Sequence, residues 1–320
     1  MSLTDGFTCT IFGVDAARWD VHGPNAGLQG VTIGKGQLAG ILDAPLESAW
    51  AETARGGGAR HIRDRYGPRD MTVGFHIDGL GMNEPVRGSV AAAFARSLTS
   101  PPYRWSPSKR HARIAVTTDL SGMRQLRQVR GTEIPEIDTG RDILKDQYEN
   151  ALYNLRAGIP WWHAGTLNPS WETSGVTGSG TVTVENPGDV PAAYSIILTP
   201  GDWTISDPSW SGEIGEVTPG GKHADRTIEI HVPASAGGAV LSRDPRKLPV
   251  AAADGSNLIS AQQGRFLVYD LPPWTPPTEL EISVRDAPAG GARAEYRIEE
   301  NYTRAWGMEA PLPGEIEVQP

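Results

Sequence analysis

The side chains from which chemistry could be built are few in this chain, and the histidines come first. His22, His61, His76, His111, His163, His223 and His231 never pair at metal-ligand spacing, and no H-E-x-x-H occurs. His76 and His231 fall on the polar faces of alternating runs, where a solvated histidine is the ordinary reading. The single cysteine, Cys9 in "FTCTIF", excludes an internal disulfide framework and a thiolate cluster, and reads as a small buried thiol in a strand. "GVTIGKGQ" imitates a phosphate loop, but Gln29 stands five before Gly34 where Gly is required, and Gly36 follows Lys35 where Ser or Thr is required. No G-x-S-x-G elbow is present for a serine hydrolase. Carboxylates are plentiful, so counting alone leaves a glycosidase pair open. Glu299-Glu300, Asp142 and Asp146 nevertheless read as surface groups. In "RHIRDRYGPR" the arginines 60, 63, 65 and 69 are interrupted by Asp64 and Asp70, which suits a solvated or subunit-contacting loop. These residues predict no enzyme, no metal and no cofactor.

Tryptophan is the unusual residue, with ten against five Phe. It joins a large apolar body to an N–H donor and is favoured at interfaces and sugar-stacking platforms. Trp203, Trp210 and Trp274 stand at predicted strand ends or loops. Packing is the leading reading for them, with glycan or protein contact as the alternatives.

The elements that must position these residues are mostly strands. Gly and Pro together make 64 of 320 residues, below the low-complexity range and suited to a turn-rich β protein. In "RTIEIHV" Ile228, Ile230 and Val232 face one way; in "ELEISVR" Leu280, Ile282 and Val284 do; in "RAEYRIE" Ala294, Tyr296 and Ile298 do. A period of two with one charged face means antiparallel strands covering a core on one side. Pro187-Gly188-Asp189, Pro200-Gly201-Asp202 and Pro219-Gly220-Gly221 supply the turns between. Together they predict a sandwich of about eight strands over 175–306.

The first half alternates too, in "RDMTVGFHI", "ARIAVTT" and "YENALYNLRA". One helix is predicted between the first two, with Val86, Val90, Phe94 and Leu98 on one face, Asn83 as N-cap and Ser100-Pro101-Pro102 as stop. "GTLNPSWETSGVTGSG" at 165–180 reads as a polar connection. The expected organisation is therefore a β-rich first domain over 1–168, a split barrel or sandwich with one inserted helix, then the antiparallel sandwich at 175–306 and a tail at 307–320.

Charge is unevenly spread: residues 1–165 carry 19 Lys/Arg against 17 Asp/Glu, and the remainder 10 against 21. The acidic second half argues against nucleic-acid binding there, since a phosphate backbone needs basic partners. No apolar run of about 18 residues predicts a membrane span. The start, "MSLTDGFTCTIFGVDAARWD", lacks a basic-then-apolar secretory pattern, so synthesis without export is expected.

Several segments in order resemble a known family. "RWDVHGPNAGLQGVTIGKGQLAGILDAP", "RDMTVGFHI" and "RAGIPWWHAG" resemble the ring-forming belt domain of siphophage distal tail (Dit) proteins, often called minor tail proteins in phages of actinobacteria. "VENPGDVPAAYSIILTPGDW", "LSRDPRKLPVAAADGSNL", "GRFLVYDLPPW" and "YTRAWG" resemble the galectin-like sandwich appended to it. The resemblance implies a structural virion protein. Family members form a ring, usually of six copies, at the distal end of the tail, joining the tail tube protein to the tail hub. They meet other minor tail proteins and the tape-measure protein there, and are assembled in the bacterial host cytoplasm. Trp19, His22, Gly23, Pro24, Asn25, Gly27 and Gly30 match the opening motif and Pro160, Trp161 and Trp162 the closing one, as scaffold and ring contacts. Ile159 stands where the family has an acid. No catalytic residue, membrane contact or sequence-specific nucleic-acid contact is implied. The alternative it leaves is a host cell-wall glycan adhesin acting through the sandwich.

Overall fold

The computed structural model describes residues 6–52, 56–78, 84–99, 111–137, 148–259, 262 and 264–310. It is mainly β, with one α-helix and antiparallel pairing throughout the registered strands. Asn83, the 100–102 stop, Asp142, Asp146, the side chain of Val86 and residues 311–320 of the tail lie outside the described residues. No helix among the described residues is long and apolar enough to cross a membrane. By internal contacts the chain divides into two units, Met1–Ala164 with Thr303–Gly307, and Gly165–Tyr302 with Met308–Pro320. Residues 303–306, placed in the sandwich by the sequence, thus pack with the first unit.

The first unit holds β1 (Thr8–Phe12), β2 (Arg18–His22), β3 (Val31–Ala39), β4 (Leu46–Glu52), β5 (Ala59–Tyr66), β6 (Arg69–Asp78), α1 (Glu84–Thr99), β7 (Ala112–Thr118), β8 (Gly122–Gly131), β9 (Glu136–Ile137), β10 (Tyr148–Ala157) and the start of β11 (Trp162–Leu167). Pairing runs β2–β1–β7–β8–β10–β6–β3, and β3 returns to contact β2, giving a split barrel. The alternation in β6 sends Met71, Val73, Phe75 and Ile77 inward, all buried. The helix closes the barrel with Phe94 and Leu98, both fully buried, while Val90 is half-buried. Phe94 makes edge-to-face contacts with Trp19, Phe75 and Tyr153 at 5.2, 4.7 and 5.5 Å. At about 0.5–1.5 kcal/mol each beyond area burial, these anchor the helix over the core.

One edge of β8 is shared. Residues 155–157 of β10 pair with 131–129, and Trp162 and His163 of β11 pair with Leu126 and Gln125. The intervening 158–161 bulges out of the ladder, opposite Gln128 at φ 56°.

The second unit stacks two sheets. One is built from β12 (Ser170–Thr173), β22 (Ala292–Tyr302), β14 (Tyr194–Leu198), β19 (Ala239–Ser242) and β20 (Val250–Ala252). The other is built from β13 (Gly178–Asn186), β21 (Thr275–Arg285), β15 (Gly201–Ser206) and β18 (Thr227–Val232). β16 (Trp210–Ser211) and β17 (Thr218–Pro219) form a small hairpin. The inward residues read from the sequence in β18, β21 and β22 are all buried in one core. The polar connection expected at 165–180 is instead strand: Ser170–Thr173 pairs with β22 and Gly178 opens β13. Ser170, Ser174, Thr177 and Ser179 are exposed, Gly178 and Gly180 lie half-buried on the inward side of β13, and Trp171 packs against the core with its ring 6.0 Å from that of Trp203.

Candidate assembly surface

The opening motif winds the chain from β2 into β3. Trp19 points inward, its indole N–H donating to Ser97 Oγ at 3.1 Å, which ties β2 to α1. Gly23 and Gly27 take φ of 101° and 81°, and a Cβ on Gly23 would lie 2.8 Å from Thr8 Cγ2. Gly30 accepts from Asp78 N at 3.1 Å, fastening the loop to β6.

Asp20 holds the turn together. Its carboxylate accepts from Thr10 Oγ1 at 2.8 Å, from the Arg18 guanidinium at 3.0–3.1 Å and from Gln29 Nε2 at 3.4 Å, and its backbone N–H donates to Gln29 Oε1. Burial alone would raise its pKa, but the bonds from Thr10 and Arg18, the Arg18 charge and the Gln29 bond outweigh it and hold the pKa below the ordinary value. The parts of the motif left outside are His22, Pro24 and Asn25, with Leu28 71% exposed. His22 stacks on Phe7 at 4.4 Å, and Phe7 on Trp306 at 5.3 Å.

The closing motif occupies the bulge before β11. Trp162 is fully buried and donates its indole N–H to Ile41 O at 3.2 Å; Trp161 is half-buried, edge-on to Tyr66 at 4.7 Å. Pro160 offers its carbonyl to Arg69, at 3.0 Å from Nε and 2.8 Å from Nη2. Arg69 also donates to the carbonyls of Gly40, Ile41, Asp43 and Thr303. This overturns the solvated reading of Arg69, which is 0% exposed. Five backbone carbonyls surround the cation. Burial pushes the Arg69 pKa down to about 10, with the nearby Asp43 charge opposing.

Arg124, equally buried, donates to the carbonyls of Arg304 and Gly307. Two buried guanidinium groups therefore hold residues 303–307 in the first unit. The sequence reading missed this role, yet one signal was present: Arg69 has the same parity as Met71, Val73, Phe75 and Ile77, and so faces inward.

A different surface lies in β4 and β5. They form an antiparallel hairpin outside every other sheet, with every residue of β5 exposed. Trp50 and Ile62 are 58% and 54% exposed, and Leu46 and Tyr66 are also open. Ser48 and His61 both hydrogen-bond Asp64, and Trp50 lies edge-on to His61. Among the described residues none of this ribbon is buried, and Tyr66 meets the Trp161 ring only edge-on. An isolated two-stranded hairpin is marginal in water, and large apolar side chains on it mark a surface meant to be covered.

In the second unit, the three tryptophans offer little open ring surface. Trp203 lies inside β15, 1% exposed, and donates to Thr199 O at 2.8 Å. Trp210 is half-buried against the core, and Trp274 is half-buried with its N–H on Met308 O at 3.2 Å. Asn186, which sequence reasoning passed over, is the buried organiser of the Pro187-Gly188 turn. Its Nδ2 reaches the carbonyls of Val190, Leu271 and Pro272, and its Oδ1 accepts from Gly188 N. Among the described residues no three His, Cys, Asp or Glu side chains group as metal ligands.

No family model and no curated protein matches the chain. Among solved structures, its fold is similar to the crystal structure of SPP1 Dit (gp 19.1), a protein described as a paradigm of the hub adsorption apparatus in phages that infect Gram-positive bacteria. The match has a TM-score of 0.56 and 11% identity over 92% of this chain and 98% of that one. Two baseplate structures of phage p2 in its activated conformation, with Sr and with Ca, match at TM-scores of 0.48 and 0.46 and identities of 10% and 11%, each over 92% of this chain and 98% of theirs. At such identities the likeness is one of fold. The Dit-like fold expected from the motifs is the fold observed.

Proposed function

We propose that this chain is a structural protein of a phage tail tip. Copies close into a ring, six by the family pattern, at the distal end of the virion tail. The first unit forms the ring and joins the tail tube protein to the hub, in company with other minor tail proteins and the tape-measure protein, after assembly in the host cytoplasm. The role is geometric and needs no catalytic group.

The observation that carries this reading is the unsupported β4–β5 hairpin. Among the described residues Trp50 and Ile62 stay largely open, and a head-to-tail ring supplies cover from the next copy without leaving an open end. The fold shared with SPP1 Dit over nearly the whole of both chains supports it. The purified chain should form closed oligomers by mass photometry and rings by negative-stain microscopy. The double variant W50D/I62D should stay monomeric with an unchanged melting temperature, because the hairpin contributes no core. A wild-type chain that remains monomeric even with its tail partners would refute the ring, as would rings that survive the double variant.

The second reading is glycan capture at the host surface by the second unit. Its support comes from a polar groove on the outer face of one sheet rather than from Trp203, Trp210 and Trp274.

A further inference from the structure

On the β18–β15–β21 sheet the residues facing away from the core form an ordered polar array. His231, Asp202 and Arg285 lie directly opposite one another across the three strands, and Glu229 and Thr204 form the next row. They line a groove of about 400 Å³.

Its far wall is fixed by the segment beyond β18. Gln262, 4% exposed, accepts from His231 N at 3.0 Å and donates to His231 O at 2.6 Å, capping the edge strand with a side chain. The same wall is pinned further along, where the buried Asp207 carboxylate accepts from Val268 N and Tyr269 N. Arg226 donates to Phe266 O nearby. Arg265, on that wall, bonds Glu229 at 2.6 Å, and His231 Nδ1 pairs with Asp202. The Arg285 side chain makes no hydrogen bond or ion pair among the described residues.

Stability does not explain this array. Exposed ion pairs contribute about 0–1 kcal/mol, and the sandwich is held by the core on the other side of the sheet. We infer that the groove binds a neutral disaccharide.

Three strands at about 4.8 Å spacing span about 10 Å with the side chains, the length of two linked pyranose rings. Carboxylates that only accept alternate with guanidinium groups that only donate, and a sugar hydroxyl does both, so vicinal hydroxyls can satisfy neighbouring members of the array. With Asp202 holding Nδ1 of His231, Nε2 is left for the ligand. Two arginines stand against Asp202 and Glu229, so an anionic ligand meets two carboxylates, a cationic one meets two guanidinium groups, and an apolar one meets a lining that is mostly polar, with Trp203 and Ile230 contributing only from the buried side. The preset Gln262 wall lowers the ordering cost of binding.

This inference deepens the glycan reading and is independent of the ring. Saturation-transfer NMR on the full chain, with cellobiose, lactose, maltose and chitobiose as separate probes, tests it. At least one probe should bind. D202A and R285A should each weaken that binding at least tenfold, a loss of about 1.4 kcal/mol, and R297A, on the other sheet, should leave it unchanged. All variants should keep the wild-type melting temperature. Absence of signal from every disaccharide overturns the inference, as does equal binding by D202A and R285A. Preference for a glycerol-phosphate oligomer over the neutral sugars overturns it too. Mass photometry on the same samples reads ring closure separately, so loss of one conclusion leaves the other standing.

Discussion

Replacing Arg69 by Met tests the anchoring of residues 303–307 most directly. The side chain keeps its length and apolar stem but loses every donor. Five carbonyls then lose the guanidinium: buried Ile41 O retains the Trp162 indole, those of Pro160 and Thr303 are half-buried and left without it, and those of Gly40 and Asp43 belong to exposed residues that water can reach. A buried group left without its partner costs about 1–3 kcal/mol. The two half-buried groups, Pro160 O and Thr303 O, come to about 2–4 kcal/mol, and release of the desolvated cation recovers part of this. A net loss of about 1–2 kcal/mol lowers the melting temperature of a unit this size by about 5 °C.

Calorimetry of the full chain measures the shift. Limited trypsin digestion supplies a second readout, because Arg304 sits in the held segment and should be cut much faster once Thr303 O is released. R69K keeps the charge, but a single ammonium carries only three donors, so it should fall between wild type and R69M. An R69M protein that melts within a degree of wild type and is cut at Arg304 no faster would show that the guanidinium holds nothing.

Two further predictions follow from burial and charge. The pKa of Asp20 is lowered in the folded state, so its contribution is present above the unfolded carboxylate pKa of about 4 and is lost as pH falls through the folded value. The melting-temperature gap between wild type and D20N should therefore be wide at pH 7 and narrow near pH 3; a gap that does not change with pH would contradict the assignment. Cys9 is 2% exposed and burial pushes its thiol up to about 12, so Ellman's reagent at pH 8 should react only at the rate of unfolding. Prompt stoichiometric reaction of the native protein would place the thiol elsewhere.

How much was legible in the sequence depends on the range of the interaction involved. Ile228, Ile230 and Val232, or Met71 to Ile77, announce their strands because inward and outward positions alternate within the strand itself. The α1 helix was readable from Phe94 and Leu98 for the same reason. The stretch at 165–180 was misread because small polar residues serve an exposed strand as well as a linker, and only pairing with β22 and β21 distinguishes the two. Arg69 was misread because composition ranked it with its solvated neighbours while its parity pointed inward.

The sequence by itself determined the class of structure: period-two strands, punctuating turns and a lone cysteine set inside one of those strands. Those are properties of neighbours along the chain. Only the tertiary structure decided that Arg69 is a buried clasp, because its acceptors lie 91 residues away at Pro160 and 234 away at Thr303. It alone left Trp50 and Ile62 of the β4–β5 ribbon open and set His231, Asp202 and Arg285 in one row. A side chain's neighbours across a sheet are set by register between distant strands, and no local pattern encodes that register.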